Sequence, residues 1–313
     1  MELLEQKTSS SVAIKNVLFA TDFSAASSAA LPYAIAICQH YESMLHAEHV
    51  MFPQALFVAP EVTDPQVIDS MYESARLRAE KEMKRLGSHL SGVPHRLHLG
   101  IGDVWEVLAE TARANNIDLV VVGTHGRTGV EKIVMGSIAE DIFRHARCPV
   151  LTVGPKISGR SKSRVICGTG GDCSPIDIEF RQIVFATDFS PHSLAAAPYA
   201  VSLAQEFGAR LTLLHVLDYK VAGPRPAVIE RTVNRLTDLV SEEAGLWCTP
   251  IPMVKFGAAA DCILETAADR GADLIVMGVR PATGLNGAGT HLPWAIAHRV
   301  VSLANCPVLT IRG

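Results

Sequence analysis

Residues 16–24 read NVLFATDFS, and residues 182–190 read QIVFATDFS. Each segment is an apolar run typical of a buried β-strand, followed by a short polar turn. Further matching segments follow in the same order in both parts of the chain: HV at 49–50 and 215–216, and CPVLT at 148–152 and 306–310. Because this repeat is far longer than that of a solenoid protein, the sequence predicts a duplicated domain.

The segment between the two copies differs from both in composition. It is polar and glycine-rich, contains Gly168-Thr169-Gly170-Gly171, and lacks the periodicity of a helix or a strand. A glycine-rich run can also form a phosphate-binding loop, but no helical pattern opens directly behind this one, which favours a linker. We therefore predict domains at 13–154 and 179–313, joined by a linker at 155–178.

Short apolar runs alternate with longer segments of helical period in each copy, which is typical of parallel βαβ units. Each copy is therefore predicted to be an α/β domain with an open, doubly wound, five-stranded parallel sheet of the Rossmann-like type. The two sheets, each with its own core, are expected to be related by a pseudo-two-fold axis. The closing strands Val150–Val153 and Val308–Ile311 could pair across that axis, within the chain or between the chains of a homodimer. The stretch Met51–Asp69, with several prolines, is expected to be a loop before a helix at Ser70–Leu90.

Composition argues against several classes of function. The 313 residues are 48% hydrophobic and 19% charged, as in packed globular domains, and the net charge of −4 argues against a nucleic-acid surface. No stretch approaches about 18 uninterrupted apolar residues, and two acidic residues among the first five, with no apolar run of signal length, argue against secretion. The seven cysteines form no Cys-x-x-Cys pair, as expected of reduced thiols. We therefore expect a cytoplasmic protein that binds neither nucleic acid nor a membrane.

The segment that indicates a ligand is DLVVVGTHGRTGVEKIVMGS at 118–137. A predicted strand ends in Gly123 and Gly126, and Gly136 and Ser137 open a predicted helix, so the spacing is G-x2-G-x9-G-S. Glycines at a strand end let backbone N–H groups face a ligand, and a helix N-terminus adds free donors and the positive end of a dipole. Glycine at a strand end is also common simply because the chain must turn. The complete spacing favours a polyphosphate site.

These segments together resemble the universal stress protein family, specifically its tandem-domain members. The resemblance covers nearly the whole chain and rests on ATDFS, HV and CPVLT in both copies and on residues 123–137 in the first. The G-x2-G-x9-G-S spacing is specific to the ATP-binding branch of that family, which implies an adenine nucleotide, ATP, with or without Mg²⁺. The contacts implied are with phosphate for Gly123, Gly126, Gly136 and Ser137, with ribose or a metal ion for Asp22, and with adenine for the backbone of Val50.

Each of these residues also has a plain structural interpretation. Asp22 can hold the turn after the first strand, and Val50 can be ordinary strand packing. Thr124 and His125 lie inside the loop and either could touch phosphate; His125 can equally be a solvated loop residue, and we assign it no catalytic role. The metal ligands, should Mg²⁺ bind, are left open. Other histidines without matching ligand partners are predicted to lie at the surface, among them His89, His95 and His98.

The second copy departs from the phosphate-binding pattern. Gly278 is retained, but Pro281 stands at the second glycine, and Trp294 and Ala295 replace the glycine and serine that open the last helix. Proline donates no N–H, and an indole is too bulky for close approach of a phosphate. We expect the Trp294 side chain to occupy the phosphate space, so that this copy has lost nucleotide binding. The glycine-rich loop 284–289 could alternatively rebuild an anion site.

The function favoured by the sequence is that of an ATP-binding regulatory protein of the stress response, with slow or no hydrolysis. The chain has no Walker lysine pattern and no evident general base. An enzyme acting on the α-phosphate is disfavoured, because ATDFS stands where such enzymes carry an SGGxDS-type loop. A nucleotide-independent interaction module with an unknown protein partner is supported by the second copy and opposed by the intact loop of the first. A flavodoxin-like redox role is weaker still.

Overall fold

The computed structural model describes residues 12–51, 64–124, 135–154, 157, 178–218, 225–245, 248–280 and 293–313. The elements of the first half are β1 (Asn16–Ala20), α1 (Ala25–Tyr41), β2 (Met44–Met51), α2 (Pro65–His89), β3 (His95–Ile101), α3 (Val104–Ala114), β4 (Leu119–Gly123), α4 (Ser137–His145) and β5 (Val150–Val153). Those of the second half are β6 (Gln182–Ala186), α5 (Pro191–Leu194), α6 (Ala197–Glu206), β7 (Arg210–Leu217), α7 (Pro226–Thr237), α8 (Glu242–Gly245), β8 (Thr249–Phe256), α9 (Ala259–Arg270), β9 (Leu274–Val279), α10 (Pro293–Leu303) and β10 (Val308–Arg312). Within these ranges, none of the helices combines the length and apolar composition needed to cross a bilayer.

The strands form one ten-stranded sheet in the order β3-β2-β1-β4-β5-β10-β9-β6-β7-β8. All pairs inside each half are parallel, as predicted, and the one junction between the halves is the antiparallel pair β5–β10. In each half the chain moves from the first strand to neighbours on either side, as in doubly wound folds. The predicted fold class is therefore confirmed, and the closing strands pair within the chain.

Two reciprocal side-chain bonds mark the pseudo-two-fold axis at this junction. Leu309 lies opposite Leu151. The Thr152 hydroxyl donates to the Val308 carbonyl at 3.0 Å, and the equivalent Thr310 hydroxyl donates to the Val150 carbonyl at 3.2 Å. An isologous contact has this reciprocity.

The expectation that each half keeps its own sheet and core is wrong. One cluster of buried side chains joins Phe19 of the first half to Phe185 of the second, and the cluster on the other face of the sheet joins Leu18 to Val184. Phe180 is 1% exposed and packs against Tyr33 across the halves. The physical reason is that β5 and β10 are buried, apolar strands, and pairing them removes two exposed sheet edges.

The second helix begins earlier than predicted. It starts at Pro65 rather than Ser70, because the Asp64 carboxylate accepts a hydrogen bond from the Gln66 N–H at 2.9 Å and proline suits the first helical position. Pro65, one of the prolines that suggested a loop, is thus the first residue of the helix.

Cleavage of the chain between the halves is expected to leave them associated, because they share a sheet and both cores. A protease site inserted at Gly170-Gly171, cut to completion under native conditions, should give one gel-filtration peak at the elution volume of the uncut protein. Two peaks at half the mass would contradict the shared core.

Candidate functional site

The turn after β1 holds a strained backbone with several hydrogen bonds. Phe23 has φ of 60°, a left-handed conformation that is rare for a bulky residue. Its N–H donates to the Thr21 hydroxyl at 3.0 Å, and the next N–H, that of Ser24, donates to the Asp22 carboxylate at 2.9 Å. The Ser24 side chain then caps α1. These bonds hold the turn at the carboxyl edge of the sheet.

Asp22 holds the turn after β1, which was the structural alternative to a ligand contact. Burial raises the pKa of its carboxyl group, but hydrogen bonds from the side chain and backbone of Ser24, with a further one from Ser27, outweigh this and leave the pKa below its ordinary value. The group is therefore a carboxylate at neutral pH, half-buried at the edge where ligands of such sheets bind. A contact with ribose or a metal ion stays a prediction.

Val50 is the second-last residue of β2. Pairing of β1 with β2 ends at Ala20 and Glu48, followed by a bond from the Thr21 N–H to the Glu48 carbonyl at 2.9 Å. Because backbone groups alternate between the two sides of a strand, the N–H and C=O of Val50 point to the same side as those of Glu48. At that level β1 has already ended.

The next carbonyl after β1, that of Thr21, is hydrogen-bonded to a histidine side chain. His49 Nδ1 lies 2.8 Å from the Thr21 carbonyl and so carries the proton of that bond. The carbonyl that would continue the ladder toward Val50 is thereby taken by an imidazole. The N–H and C=O of Val50 consequently point past the end of β1.

The packing of α1 against the end of β4 requires a glycine at position 123, which the sequence analysis did not predict. It is the last residue of β4, and a Cβ on it would lie 2.6 Å from the carbonyl carbon and oxygen of Ala26 in α1. Gly278 is equivalent in the second half, where a Cβ would lie 2.0 Å from the His192 carbonyl oxygen. In both halves, therefore, a helix approaches the strand-end glycine closely. A phosphate contact of Gly123 stays a prediction.

The two ends of the predicted phosphate loop are joined by a hydrogen bond. Thr124 is fully buried; its N–H donates to the Val153 carbonyl at 3.0 Å, and its carbonyl accepts the Gly136 N–H at 2.7 Å. The Gly136 N–H is thus used by the fold itself. Gly126 and His125 lie outside the described residues.

The helix predicted to open at Ser137 does so. Gly136 is its N-cap, with φ of −64° and ψ of 151°, and the first intrahelical bond runs from the Glu140 N–H to the Gly136 carbonyl. The N–H groups of Ser137, Ile138 and the following alanine precede that bond, so the helix does not use them. Ser137 and Ile138 are exposed. Such a helix start suits an anion.

The second half repeats the turn after the first strand and the histidine bond that follows it. The Asp188 carboxylate accepts the Ser190 N–H at 2.9 Å, His215 Nδ1 lies 2.8 Å from the Thr187 carbonyl, and Phe189 has φ of 59°. A cavity of about 80 Å³ is lined by Asp188 and Arg280 among others, and the Arg280 guanidinium lies 3.9 Å from the Asp188 carboxylate. Pro281 and the Trp294 side chain, on which the loss of nucleotide binding was predicted, and loop 284–289, the alternative anion site, lie outside the described residues, whereas Ala295 lies in α10.

A buried polar cluster in the first half was missed by the sequence analysis. His46 and Glu48, each 2% exposed, lie on one face of β2; His46 Nδ1 is 3.1 Å from His98 Nε2, and Glu48 accepts the Thr111 hydroxyl at 3.0 Å. Burial raises the pKa of Glu48 to about 7 and, with the positive charges of His98 and Arg96, lowers that of His46 to about 4. The sequence signal for this cluster is that His46 and Glu48 lie two residues apart in one strand and therefore on the same face of it.

The surface prediction for the histidines was only partly right. His89 is exposed, but His95 and His98 are half-buried, and His98 is bonded to His46. The rings of His46 and His98 are 11° from parallel with centroids 5.3 Å apart, so they lie end to end along the N···N line. This arrangement fits an N–H···N bond; two metal ligands would converge on a common point. Among the described residues, no group of three or more His, Cys, Asp or Glu side chains could hold a metal ion.

The model of the universal stress protein family matches residues 13–154 and again 179–312. A universal stress protein of Mycolicibacterium smegmatis is 25% identical over 305 residues, covering 95% of this chain and 96% of that protein. Universal stress protein MJ0531 of Methanocaldococcus jannaschii is 30% identical over 139 residues, covering 44% of this chain and 81% of its own. The crystal structure of a universal stress protein from Archaeoglobus fulgidus DSM 4304 has a TM-score of 0.67 at 18% identity and covers 95% of this chain and 98% of its own, which shows a shared fold. Because the family model matches most of the chain, the protein belongs to the universal stress protein family and contains its domain twice.

Proposed function

We propose that this protein binds ATP in the first half and acts as a nucleotide-dependent regulator in the stress response, with slow or no hydrolysis. The observation that carries the proposal is the set of groups beyond the carboxyl ends of β2, β1 and β4, which are adjacent strands. There the Val50 peptide groups, the Asp22 carboxylate and the start of α4 are proposed to face a common ligand, at the point where the strand order reverses. Ligands of open α/β sheets bind at such switch points.

Each group suits one part of an adenine nucleotide. The N–H and C=O of Val50 complement the adjacent acceptor and donor on the Watson–Crick edge of adenine. Asp22 is a carboxylate acceptor for ribose hydroxyls or a ligand for Mg²⁺, which proteins hold through one or two carboxylates and the phosphates themselves. The N–H groups at the start of α4, with the Ser137 hydroxyl, supply donors for phosphate oxygens. Gly123, Thr124, Gly126 and Gly136 are proposed to shape the loop around the phosphates.

The two proposed functional units are residues 13–154 and 179–313, with 155–178 as the connection. We propose that only the first holds ATP. The second retains the equivalents of Asp22 and His49, which are Asp188 and His215, but its sequence lacks the glycine and serine that open the last helix of the first.

Purified protein is expected to bind one ATP per chain, and saturating ATP should stabilise it against unfolding. At free ATP about 100 times the Kd, the gain is about 2.7 kcal/mol. Gly136→Val should abolish both binding and stabilisation, because the added side chain would stand at the helix start. The φ and ψ of Gly136 are ordinary for any residue, so the fold should persist without ligand.

The matched control for this variant is Ala258→Val. Ala258 is the exposed N-cap of α9, with similar backbone angles of −74° and 123°, in the half proposed not to bind. It should bind ATP as the unaltered protein does. Two ATP per chain would contradict the assignment to one half, and unchanged binding by Gly136→Val would remove the helix start from the site.

A further inference from the structure

The last turn of α4 receives a side chain from the opposite half of the molecule. Carbonyl groups in the last turn of a helix have no intrahelical donor. The Ile142 carbonyl accepts the N–H of the capping residue Ala146, and the Phe143 carbonyl accepts Nη2 of Arg312 at 2.9 Å. Arg312 ends β10 and so comes from the second half. The helix proposed to face the phosphates at its N-terminus is therefore attached at its C-terminus to the other domain.

The charge of Arg312 suits this end of the helix. Its guanidinium is half-buried, and burial lowers its pKa, but an arginine keeps its proton at neutral pH. The carbonyl end of a helix carries partial negative charge, so a cation there stabilises the helix. A charged donor also makes a stronger hydrogen bond than a neutral one.

The position equivalent to Arg312 in the first half is a glycine. When CPVLT at 148–152 is aligned with CPVLT at 306–310, Gly154 corresponds to Arg312. A Cβ on Gly154 would lie 3.6 Å from the Ala304 carbonyl, just beyond the end of α10, so the position faces that helix end as Arg312 faces α4. Glycine has no side chain to donate. Of these two helix ends, that of α4 alone accepts a hydrogen bond from an arginine among the residues that the structure describes.

We propose that Arg312 is a positioning residue through which the second half sets the place of α4, and with it the phosphate side of the nucleotide site in the first half. This inference rests on the proposed function. The helix has nine residues, about 14 Å at 1.5 Å per residue, so a shift at its C-terminus is carried to its N-terminus. Ser137 and Ile138 in its first turn are exposed, whereas Ala139, Ile142 and Phe143 are buried in the core, so Arg312 adds a polar restraint at the end of a helix that is packed along one face.

The test compares ATP with adenosine in calorimetric titrations of the full chain. Arg312→Met keeps the apolar stem and removes the charged donor. It should weaken ATP binding by about tenfold, because a hydrogen bond that involves a charged group contributes about that factor to an equilibrium constant. Binding of adenosine should stay within about twofold, because the groups proposed for base and ribose lie in β2 and in the turn after β1. Arg312→Lys, which keeps the charge, should recover most of the ATP affinity.

Arg299→Met is the matched control, since it removes an exposed arginine from α10 that pairs with Asp261. It should bind both ligands as the unaltered protein does. Equal weakening of ATP and adenosine by Arg312→Met would overturn the proposal in favour of a general structural role, and unchanged ATP affinity would also overturn it. If the methionine variant does not fold, Arg312→Gln is subjected to the same comparison. Failure of the unaltered protein to bind either ligand would instead refute the proposed function.

Discussion

Replacement of Gly278 by alanine is expected to destabilise the protein by about 3 kcal/mol, at the upper end of the usual range for overpacking a close contact. The added Cβ would lie 2.0 Å from the His192 carbonyl oxygen and 2.5 Å from the Ser193 Cα. Both are backbone atoms, so no side-chain rotation relieves the clash, and α5 must move off β9. The measurement is the free energy of unfolding in urea without ligand.

The control for this variant is Gly245→Ala. No heavy atom lies within 4 Å of a Cβ at that position, and its backbone needs no left-handed conformation. Its free energy of unfolding should change by less than about 1 kcal/mol, the difference in helix propensity between glycine and alanine. If Gly278→Ala is as stable as the unaltered protein, the glycine is not retained for packing.

The same experiment on Gly123 separates packing from ligand binding in the first half. A Cβ there would lie 2.6 Å from the Ala26 carbonyl carbon and oxygen, so Gly123→Ala should be destabilised without any nucleotide. A glycine needed only for phosphate approach would leave the stability of the ligand-free protein unchanged.

Replacement of Glu48 by glutamine is expected to stabilise the protein at high pH and to matter little at low pH. Burial raises the pKa of Glu48 from 4.5 to about 7. Between these values the folded protein keeps a proton that the unfolded chain has released. The stability due to this proton is therefore complete below the unfolded pKa and is lost as the pH rises through about 7.

The rise in the pKa of Glu48 corresponds to about 3 kcal/mol of stability when its carboxyl group is ionised in both the folded and the unfolded protein. Glu48→Gln has no carboxyl group to ionise, so its advantage in free energy of unfolding should grow from pH 5 to pH 8 toward that value. His46 acts oppositely, because its lowered pKa makes stability fall as the pH drops from 6.5 toward 4. That loss occurs in both proteins and cancels in the difference.

Urea unfolding of both proteins at pH 5, 6, 7 and 8 measures the difference directly. Glu230→Gln, on the exposed side of α7, is the matched control for the loss of a surface carboxylate. A difference between Glu48→Gln and the unaltered protein that is the same at pH 5 and pH 8 would contradict a buried, proton-bearing carboxyl group.

The fold could be predicted because its signals are local. Buried apolar runs such as Val17–Ala20, followed by helical periods, indicate parallel strands wherever they occur, and the helix start at Ser137 rests on a capping position next in sequence. The one helix start that was wrong, at Pro65, involved an ambiguous local signal, since proline both breaks helices and begins them.

The duplication, the parallel topology of each half and the positions of the strand-end glycines were determined by the sequence alone. Only the tertiary structure decided that β5 and β10 join the halves into one sheet, since an apolar strand does not specify its partner. It also decided that helices α1 and α5, lying close against the strand ends, require Gly123 and Gly278, and that Glu48, His46 and His98 meet in a buried cluster. Arg312 and Phe143 are far apart in the chain, and their contact exists only because the antiparallel strand pair brings the end of the second half beside α4. Such contacts depend on distance in space, and sequence periodicity reports only which face of an element is apolar.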